Sequence, residues 1–388
     1  MKKYFPPIAL AFAIATISTG SALADRVGPQ LDLSEHEVAV ELSTPDVAAL
    51  RNGGFVATWY GKGGTPRRSS YLRVFDSEGV AQGPRLAIDQ GSQMASAVQV
   101  VGLSDGSFMV LWNGAKWAQR YDESGEPLGP IFKTRRSGRR PYTDVAALRF
   151  GGFITAFSHG GKIVVKRYSN SGNIKKNKKF VIRNDDEYLF GRPEIHAAPG
   201  GGFLIAALSQ PRSQDDLRSI LFWRVNRKFE AVASKIVVAE GIPEDNIPYR
   251  LALSVNSLED GGSFVTWAER GDGTDQNKKN VHVQFLARDN QPAGTQLAFG
   301  ARGSRDPVGV GLEGGNAMLA WTRGGNYNSD IAGRRFESDG QSSGKSFRID
   351  DVDRGRQYTP AIAALPGSKA IVIWLSKPAH DVLGQIVD

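Results

Sequence analysis

Arginine recurs just before a series of short apolar segments, several of which begin at a proline. The members of this set are Arg140, Arg192, Arg250, Arg305 and Arg356. Two tyrosines, Tyr142 and Tyr358, stand close to them. A guanidinium group presents a planar fork of N–H donors that suits the oxygens of a carboxylate or a phosphate. If the segments converge, these residues form a partial ring around an anionic ligand.

A second interpretation of the same arginines stays open. Carboxylates stand next to several of them, and each arginine could pair with its neighbour instead of with a ligand. The candidate partners are Asp306, Asp350, Asp351 and Asp353.

Other chemistry is weakly represented in the sequence. There is no cysteine, which excludes disulfides and thiolate sites, and the five histidines lack the spacing of metal ligands. Asp-x-x-Gly segments such as Asp122–Gly125 lack the alternating acids of a calcium loop and predict hairpin turns. We therefore expect no metal and no cofactor, with an acid–base role of His159 or His380 beside Tyr142 or Tyr358 as a weaker hypothesis.

The elements that carry the arginines belong to a sevenfold repeat. Each unit has an apolar strand, a Gly-rich turn and a second apolar strand that usually ends in an aromatic residue, and two further strands follow. The seven copies are Pro45–Trp59, Ser96–Trp112, Thr143–Phe157, Pro193–Ala207, Leu251–Trp267, Pro307–Trp321 and Pro360–Trp374. No useful stretch has the period of an amphipathic helix.

The last unit lacks a fourth strand, and the first residues of the chain supply one. Val382–Asp388 reads as a third strand, and Gly28–Leu33 resembles the Gly-Pro segments that begin at Gly83 and Gly129. The sequence therefore predicts an all-β fold: one seven-bladed β-propeller at residues 25–388, with four-stranded blades and a last blade made from both chain ends. An open solenoid or a sandwich array is the alternative.

The repeats resemble those of large secreted bacterial proteins, including adhesin-like and calcium-binding exoproteins. Units of that type read roughly as DGGFVVTW followed by GQRFDADG, and the matching pieces here are Gly53–Trp59, Ala118–Asp122, Gly333–Phe336 and Gly384–Asp388. The resemblance covers essentially the whole chain after residue 24. It implies a scaffold and supplies no catalytic residue. This chain differs in being short, basic and free of long acidic runs.

Residues 1–24 have the features of a signal peptide. Lys2 and Lys3 precede a short apolar core, and Ala22-Leu23-Ala24 suits cleavage before Asp25. We expect a periplasmic or secreted protein without a transmembrane anchor, and a monomer. The formal net charge of +8 suggests anionic partners, and it also serves solubility.

The connections between second and third strands, and between one unit and the next, are long and charged, as at Thr134–Tyr142 and Ala268–Asn280. Variable loops on a rigid scaffold are typical of binding faces. We expect a non-catalytic binding or scaffold propeller for an acidic polysaccharide or an envelope component, with no specific recognition of nucleic acid. The alternative is a polysaccharide lyase or hydrolase with its site at the channel mouth.

Overall fold

The computed structural model describes residues 26–35, 41–62, 68–88, 97–134, 143–183, 188–211, 217–233, 235–243, 253–269, 280–300, 303–325, 327–352, 354–377 and 380–388. In these ranges the regular elements are strands β1 to β28 and one turn of 3-10 helix at Glu313–Gly315. The all-β prediction is confirmed. The predicted signal peptide lies outside the described residues.

The N-terminal strand β1 (Arg26–Asp32) is followed by five antiparallel sheets of four strands each. The first sheet contains β2 (Glu41–Ala49), β3 (Phe55–Lys62), β4 (Arg68–Phe75) and β5 (Leu86–Ala87). The second contains β6 (Gln99–Gly102), β7 (Phe108–Trp112), β8 (Trp117–Tyr121) and β9 (Phe132–Lys133). The third contains β10 (Thr143–Ala147), β11 (Phe153–His159), β12 (Lys162–Tyr168) and β13 (Ile174–Ile182).

The fourth sheet contains β14 (Tyr188–Ala197), β15 (Phe203–Pro211), β16 (Leu217–Val225) and β17 (Ile236–Pro243). The fifth contains β18 (Leu253–Ser257), β19 (Ser263–Ala268), β20 (Val281–Leu286) and β21 (Pro292–Phe299). A further sheet has eight strands. Its members are β22 (Arg305–Gly311), β23 (Ala317–Gly324), β24 (Ser329–Phe336), β25 (Ser342–Arg348), β26 (Arg356–Leu365), β27 (Lys369–Lys377), β28 (Asp381–Val387) and β1.

The two ends of the chain lie side by side in this eight-stranded sheet. β1 pairs antiparallel with β28, and Arg26 lies opposite Val387 in the register. Beyond the strand, the Leu33 N–H donates to the Val382 carbonyl at 2.9 Å. The predicted pairing of Gly28–Leu33 with the C-terminal segment is thus observed.

Neighbouring sheets pack face to face through their apolar side chains. Hydrophobic clusters join each sheet to the next, and one of them joins β2 and β3 to β26, β27 and β28. The tryptophans that end the second strands are buried in these layers: Trp59, Trp112, Trp267, Trp321 and Trp374. The first strands also contact one another in sequence, from β2 through β26 and back to β2.

The Asp-x-x-Gly segments are hairpin turns, as predicted. In the second sheet the Asp122 carboxylate accepts the backbone N–H groups of Ser124 and Glu126, both at 2.9 Å. The fourth sheet makes the same turn without glycine, because Phe229 adopts a left-handed φ of 71°. There the Asn226 side chain accepts the N–H groups of Lys228 and Glu230.

Four lysines lie between positions 175 and 179, just after a hairpin turn. They lie on β13, the outer strand of the third sheet, and the turn ends at Gly172. Lysines on an outer strand discourage pairing with the edge of another sheet.

Among the described residues, no helix combines the length and hydropathy needed to span a bilayer.

Candidate functional site

Several first strands have a β-bulge near their beginning. In β22 and β26 the bulge consists of two residues, and the second of them is a proline. The register shifts between Arg305 and Val308 in β22 and between Tyr358 and Ala361 in β26. Asp306 and Thr359, which precede the prolines, have φ values of 52° and 56°. Proline is tolerated at a bulge because no ladder hydrogen bond is needed there. The arginines before the bulges stay in the ladder: Arg305 pairs with Thr322 and Arg356 with Lys377.

The structure describes part of the predicted arginine ring. Arg140, Tyr142 and Arg250 lie outside the described residues, and so does the Arg192 side chain, although the Arg192 backbone belongs to β14. Arg305 begins β22, and Arg356 and Tyr358 lie at the start of β26.

Arg356 and Tyr358 form one unit. The Arg356 guanidinium lies 4.2 Å from the centre of the Tyr358 ring, and the Lys377 ammonium lies 6.0 Å from the same ring. Tyr358 packs against the hydrophobic cluster between β2 and β26. Two positively charged groups therefore make cation–π contacts with one tyrosine ring, and this ring packs against the core.

Arg305 is held mainly by backbone carbonyls. Its Nη1 donates to Gly303 at 3.1 Å and to Gly324 at 2.9 Å. Its Nε lies 3.7 Å from the Asp306 carboxylate, so a weak form of the alternative pairing is present. Burial lowers the Arg305 pKa; Asp306 raises it, and nearby Arg356 lowers it further. The two guanidinium groups are close enough to repel each other.

Several donors near this pair have no acceptor among the described residues. They are Nη2 of Arg305, Nε of Arg356 and Nε2 of Gln357. The Gln357 amide cannot be reversed, because its Oε1 accepts the indole N–H of Trp374 at 3.0 Å and an indole can only donate. Unpaired buried donors cost free energy unless a ligand or water supplies acceptors.

The remaining predicted carboxylate partners bind other arginines. Asp350 accepts from Arg348 at 2.9 Å, and Asp351 pairs with Arg26 of β1. Asp353 lies outside the described residues. Neither Arg305 nor Arg356 is therefore neutralised by Asp350 or Asp351.

A large cavity lies between the first strands. It has a volume of about 1170 Å³, and all seven first strands, β2, β6, β10, β14, β18, β22 and β26, contribute to its wall. Its polar side chains include Asp46, Gln99, Asp144 and His196. No sequence motif singles out this group. Aligning the residue that follows the proline position in each unit would have revealed it.

Two of these carboxylates connect neighbouring sheets. Asp46 in β2 accepts the Val100 N–H of β6 at 2.8 Å, and Asp144 in β10 accepts the Ile195 N–H of β14 at 2.7 Å. Between them, the Gln99 amide donates to Asp144 at 2.9 Å. These contacts satisfy N–H groups on the open edges of the first strands.

Burial dominates the ionisation of the groups in the cavity wall. It raises the pKa of Asp46 to about 7, against the backbone N–H groups of Val100 and Val47, which lower it. It raises the pKa of Asp144 to about 6, and Asp144 also hydrogen-bonds to Glu194. Burial lowers the pKa of His196 to about 4, so this imidazole is neutral at pH 7.

Metal and acid–base hypotheses gain no support from the geometry. Among the described residues, no group of three His, Asp or Glu side chains is arranged to hold a metal ion. His159 is exposed at the end of β11, and His380 precedes β28 with a φ of 58°. The predicted long loops fall largely on undescribed residues, such as 135–142 and 270–279.

No family model matches the chain, and no curated protein matches it in sequence. Solved structures do match. A streptogramin B lyase has a TM-score of 0.55 at 13% identity, over 93% of this chain and 97% of that one. An ulvan lyase from a polysaccharide lyase family has a TM-score of 0.53 at 12% identity, over 94% of each chain. The Dos1 propeller has a TM-score of 0.53 at 9% identity, over 89% and 95%. The chain has a β-propeller fold.

Proposed function

We propose that the strands form a closed ring of seven four-stranded blades. The eight-stranded sheet is continuous through a single parallel residue pair, Ser329 with Arg356, so it divides into two groups of four strands. Strand β1 is the fourth member of the second group, in the position that β5 or β9 holds elsewhere. The contact of β26 with β2 supports closure.

On this scaffold the protein is an exported, non-catalytic binding propeller for an anionic polymer, either an acidic polysaccharide or a component of the cell envelope. The observation that carries this proposal is the pair Arg305 and Arg356. These like charges lie near each other, and each keeps an N–H group without an acceptor among the described residues. A carboxylate or sulfate oxygen would relieve both the repulsion and the unpaired donors.

Tyr358 adds a second element to the proposed site. Its ring packs against the core and holds Arg356 in one orientation, so that less side-chain entropy is lost when a ligand binds. Lys377 on the neighbouring strand adds a third positive charge beside the ring. The proposed site therefore recognises negative charge with several cations rather than with one.

A polysaccharide-active enzyme is the second candidate. It is favoured by Asp46 and Asp144, whose raised pKa values of about 7 and about 6 suit proton transfer near neutral pH. The ulvan lyase that shares the fold acts on a polysaccharide, which fits the same substrate class.

One experiment separates the two candidates. The purified protein is applied to an array of neutral, carboxylated and sulfated glycans at increasing salt, and new reducing ends are assayed on each glycan. The binding proposal predicts retention of acidic glycans that falls as salt rises, without new ends. Cleavage of an acidic glycan would establish the enzyme. Equal retention of neutral and acidic glycans would reject the binding proposal, and the lack of new reducing ends on every glycan would reject the enzyme.

A further inference from the structure

Seven side chains lie at one level of the cavity, immediately after the proline position of each first strand. Each of these residues pairs with a residue on the neighbouring second strand. That partner directly precedes the position where the second strand usually ends in an aromatic residue: Asp46 pairs with Thr58, before Trp59, and Val308 pairs with Ala320, before Trp321. The set is Asp46, Gln99, Asp144, Glu194, Ser254, Val308 and Ala361. Five polar residues thus occupy consecutive strands, and two apolar residues occupy the other two.

The negative charge at this level has no matching positive charge. Asp46 and Asp144 make no ion pair with any residue in the described ranges. Asp46 accepts backbone N–H groups, and Asp144 accepts the Gln99 amide and the Ile195 N–H and also hydrogen-bonds to Glu194. The basic residues in the cavity wall are Arg51 and Arg149, and they donate to carbonyls of Ser104 and Pro199 at the opposite end of the strands. Uncompensated carboxylates in a cavity favour the approach of a cation.

His196 supplies an independent sign of an unfilled site. It lies two residues beyond Glu194 on β14 and lines the same cavity. Burial alone shifts its pKa, and its imidazole makes no hydrogen bond with a described residue. A neutral imidazole has one acceptor nitrogen and one donor. Neither is among the buried side-chain atoms that lack a partner, so both remain accessible to a ligand in the cavity.

The cavity wall is polar at this level on β2, β6, β10, β14 and β18 (the polar arc) and apolar on β22 and β26 (the apolar arc). Val308 and Ile362 line the cavity from β22 and β26, where the wall lacks ionisable side chains. A ligand that meets both arcs needs a cationic end and a hydrocarbon part. The absence of three converging ligand groups among the described residues argues against a bare metal ion as that cation.

From these observations we propose that the cavity binds a primary ammonium compound with an apolar chain. The ammonium group lies against Asp46 and Asp144, and the chain lies along β22 and β26. Such a group brings three donors, which match carboxylate oxygens and the His196 acceptor nitrogen. This site stands apart from the proposed anion site at Arg305 and Arg356, and either can exist without the other.

The test uses n-hexylammonium as the probe, with n-hexanol as a neutral molecule of the same length. Calorimetry on the purified protein at pH 8 is expected to give binding of the amine about tenfold tighter than that of the alcohol. At pH 5 the preference is expected to shrink, because Asp46 and Asp144 gain protons while His196 remains neutral. Equal binding of the two probes at pH 8, or no binding of either, would overturn the proposal.

Variants locate the probe. Asp46→Asn and Asp144→Asn keep a side-chain acceptor and remove the charge, so each is expected to weaken hexylammonium binding about tenfold. Asp339→Asn, in the exposed turn between β24 and β25, is the matched control and is expected to bind as the original protein does. Thermal melts confirm that each variant is folded. If Asp339→Asn weakens binding as much as the other two, the cavity assignment is wrong.

Discussion

The side-chain amide of Gln385 donates to the carbonyl of Gly28 at 3.2 Å, across 357 residues of sequence, and to the carbonyl of Val27 at 3.1 Å. Equivalent contacts occur inside single sheets, where Gln119 donates to Gly129 and Gln284 to Gly294. Strand β1 therefore occupies the place of a fourth strand in detail, including the contact that a glutamine on the third strand makes with it.

The contact between Gln385 and β1 predicts how the pairing of β1 with β28 is weakened. Gln385→Ala removes two hydrogen bonds that hold β1, and it is expected to lower the free energy of unfolding by about 1–2 kcal/mol. Gln119→Ala, within one sheet, is the comparison. Hydrogen exchange is the measurement: Gln385→Ala should speed exchange in both β1 and β28, whereas Gln119→Ala should leave them unchanged. Unaltered exchange in β1 after Gln385→Ala would contradict the pairing.

Gly152 tests the close approach of two strands in the third sheet. It has a φ of 81°, and a Cβ there would lie 2.1 Å from the Tyr168 carbonyl oxygen. Gly367 has a similar φ of 76° with nothing within 4 Å of its Cβ position. Gly367→Ala is expected to cost about 1 kcal/mol from the left-handed backbone alone, and Gly152→Ala clearly more. Denaturant titration measures both, and equal losses would show that the sheet relaxes around the methyl group.

The raised pKa of Asp46 predicts that the stability of the folded protein falls as pH rises. Its folded pKa of about 7 lies above the ordinary value of 3.8, so the folded state binds the proton more tightly. The stabilising contribution is complete below the unfolded pKa and is lost as pH rises toward 7. The slope is at most about 1.4 kcal/mol per pH unit for one proton.

Asp46→Asn removes that proton and should flatten this part of the stability profile. We expect the variant to gain stability relative to the original protein between pH 5 and pH 8, measured by urea unfolding at fixed salt. The same substitution at exposed Asp339 serves as the control and should leave the profile unchanged. A constant difference between Asp46→Asn and the original protein at all pH values would show that Asp46 is ionised throughout.

Much of the scaffold could be predicted because its signals are periodic. Alternation around Phe55 and Trp59 specifies a buried strand, and Gly-Pro at Gly28 repeats a pattern seen at Gly83 and Gly129. The turn at Phe229 was harder to foresee, since a left-handed aromatic residue breaks the glycine rule, and Asn226 supplies the hydrogen bonds that allow it. The strand at Lys175–Lys179 was not predictable, because a run of lysines lacks the apolar alternation that indicates a strand.

The candidate site was only partly predictable, for a physical reason. Arginines before prolines are visible in the sequence, but whether Arg305 meets a carboxylate or a backbone carbonyl depends on how two sheets pack. The acidic level of the cavity was missed because Asp46, Asp144 and Glu194 look like ordinary strand polar residues. Only the shared register of the first strands brings them to one height in the cavity wall.

Arg305 and Arg356 are proposed to bind the anionic ligand, and the affinity for that ligand tests their role. Binding of a sulfated or carboxylated oligosaccharide from the array is followed by calorimetry for the original protein, for Arg305→Gln with Arg356→Gln, and for Arg227→Gln. Arg227 lies in the turn before β17 and stacks on Phe150. We predict that the double variant loses about tenfold or more in affinity together with most of its salt dependence, while Arg227→Gln retains both. Unchanged affinity in a folded double variant would show that the anionic ligand does not bind at Arg305 and Arg356.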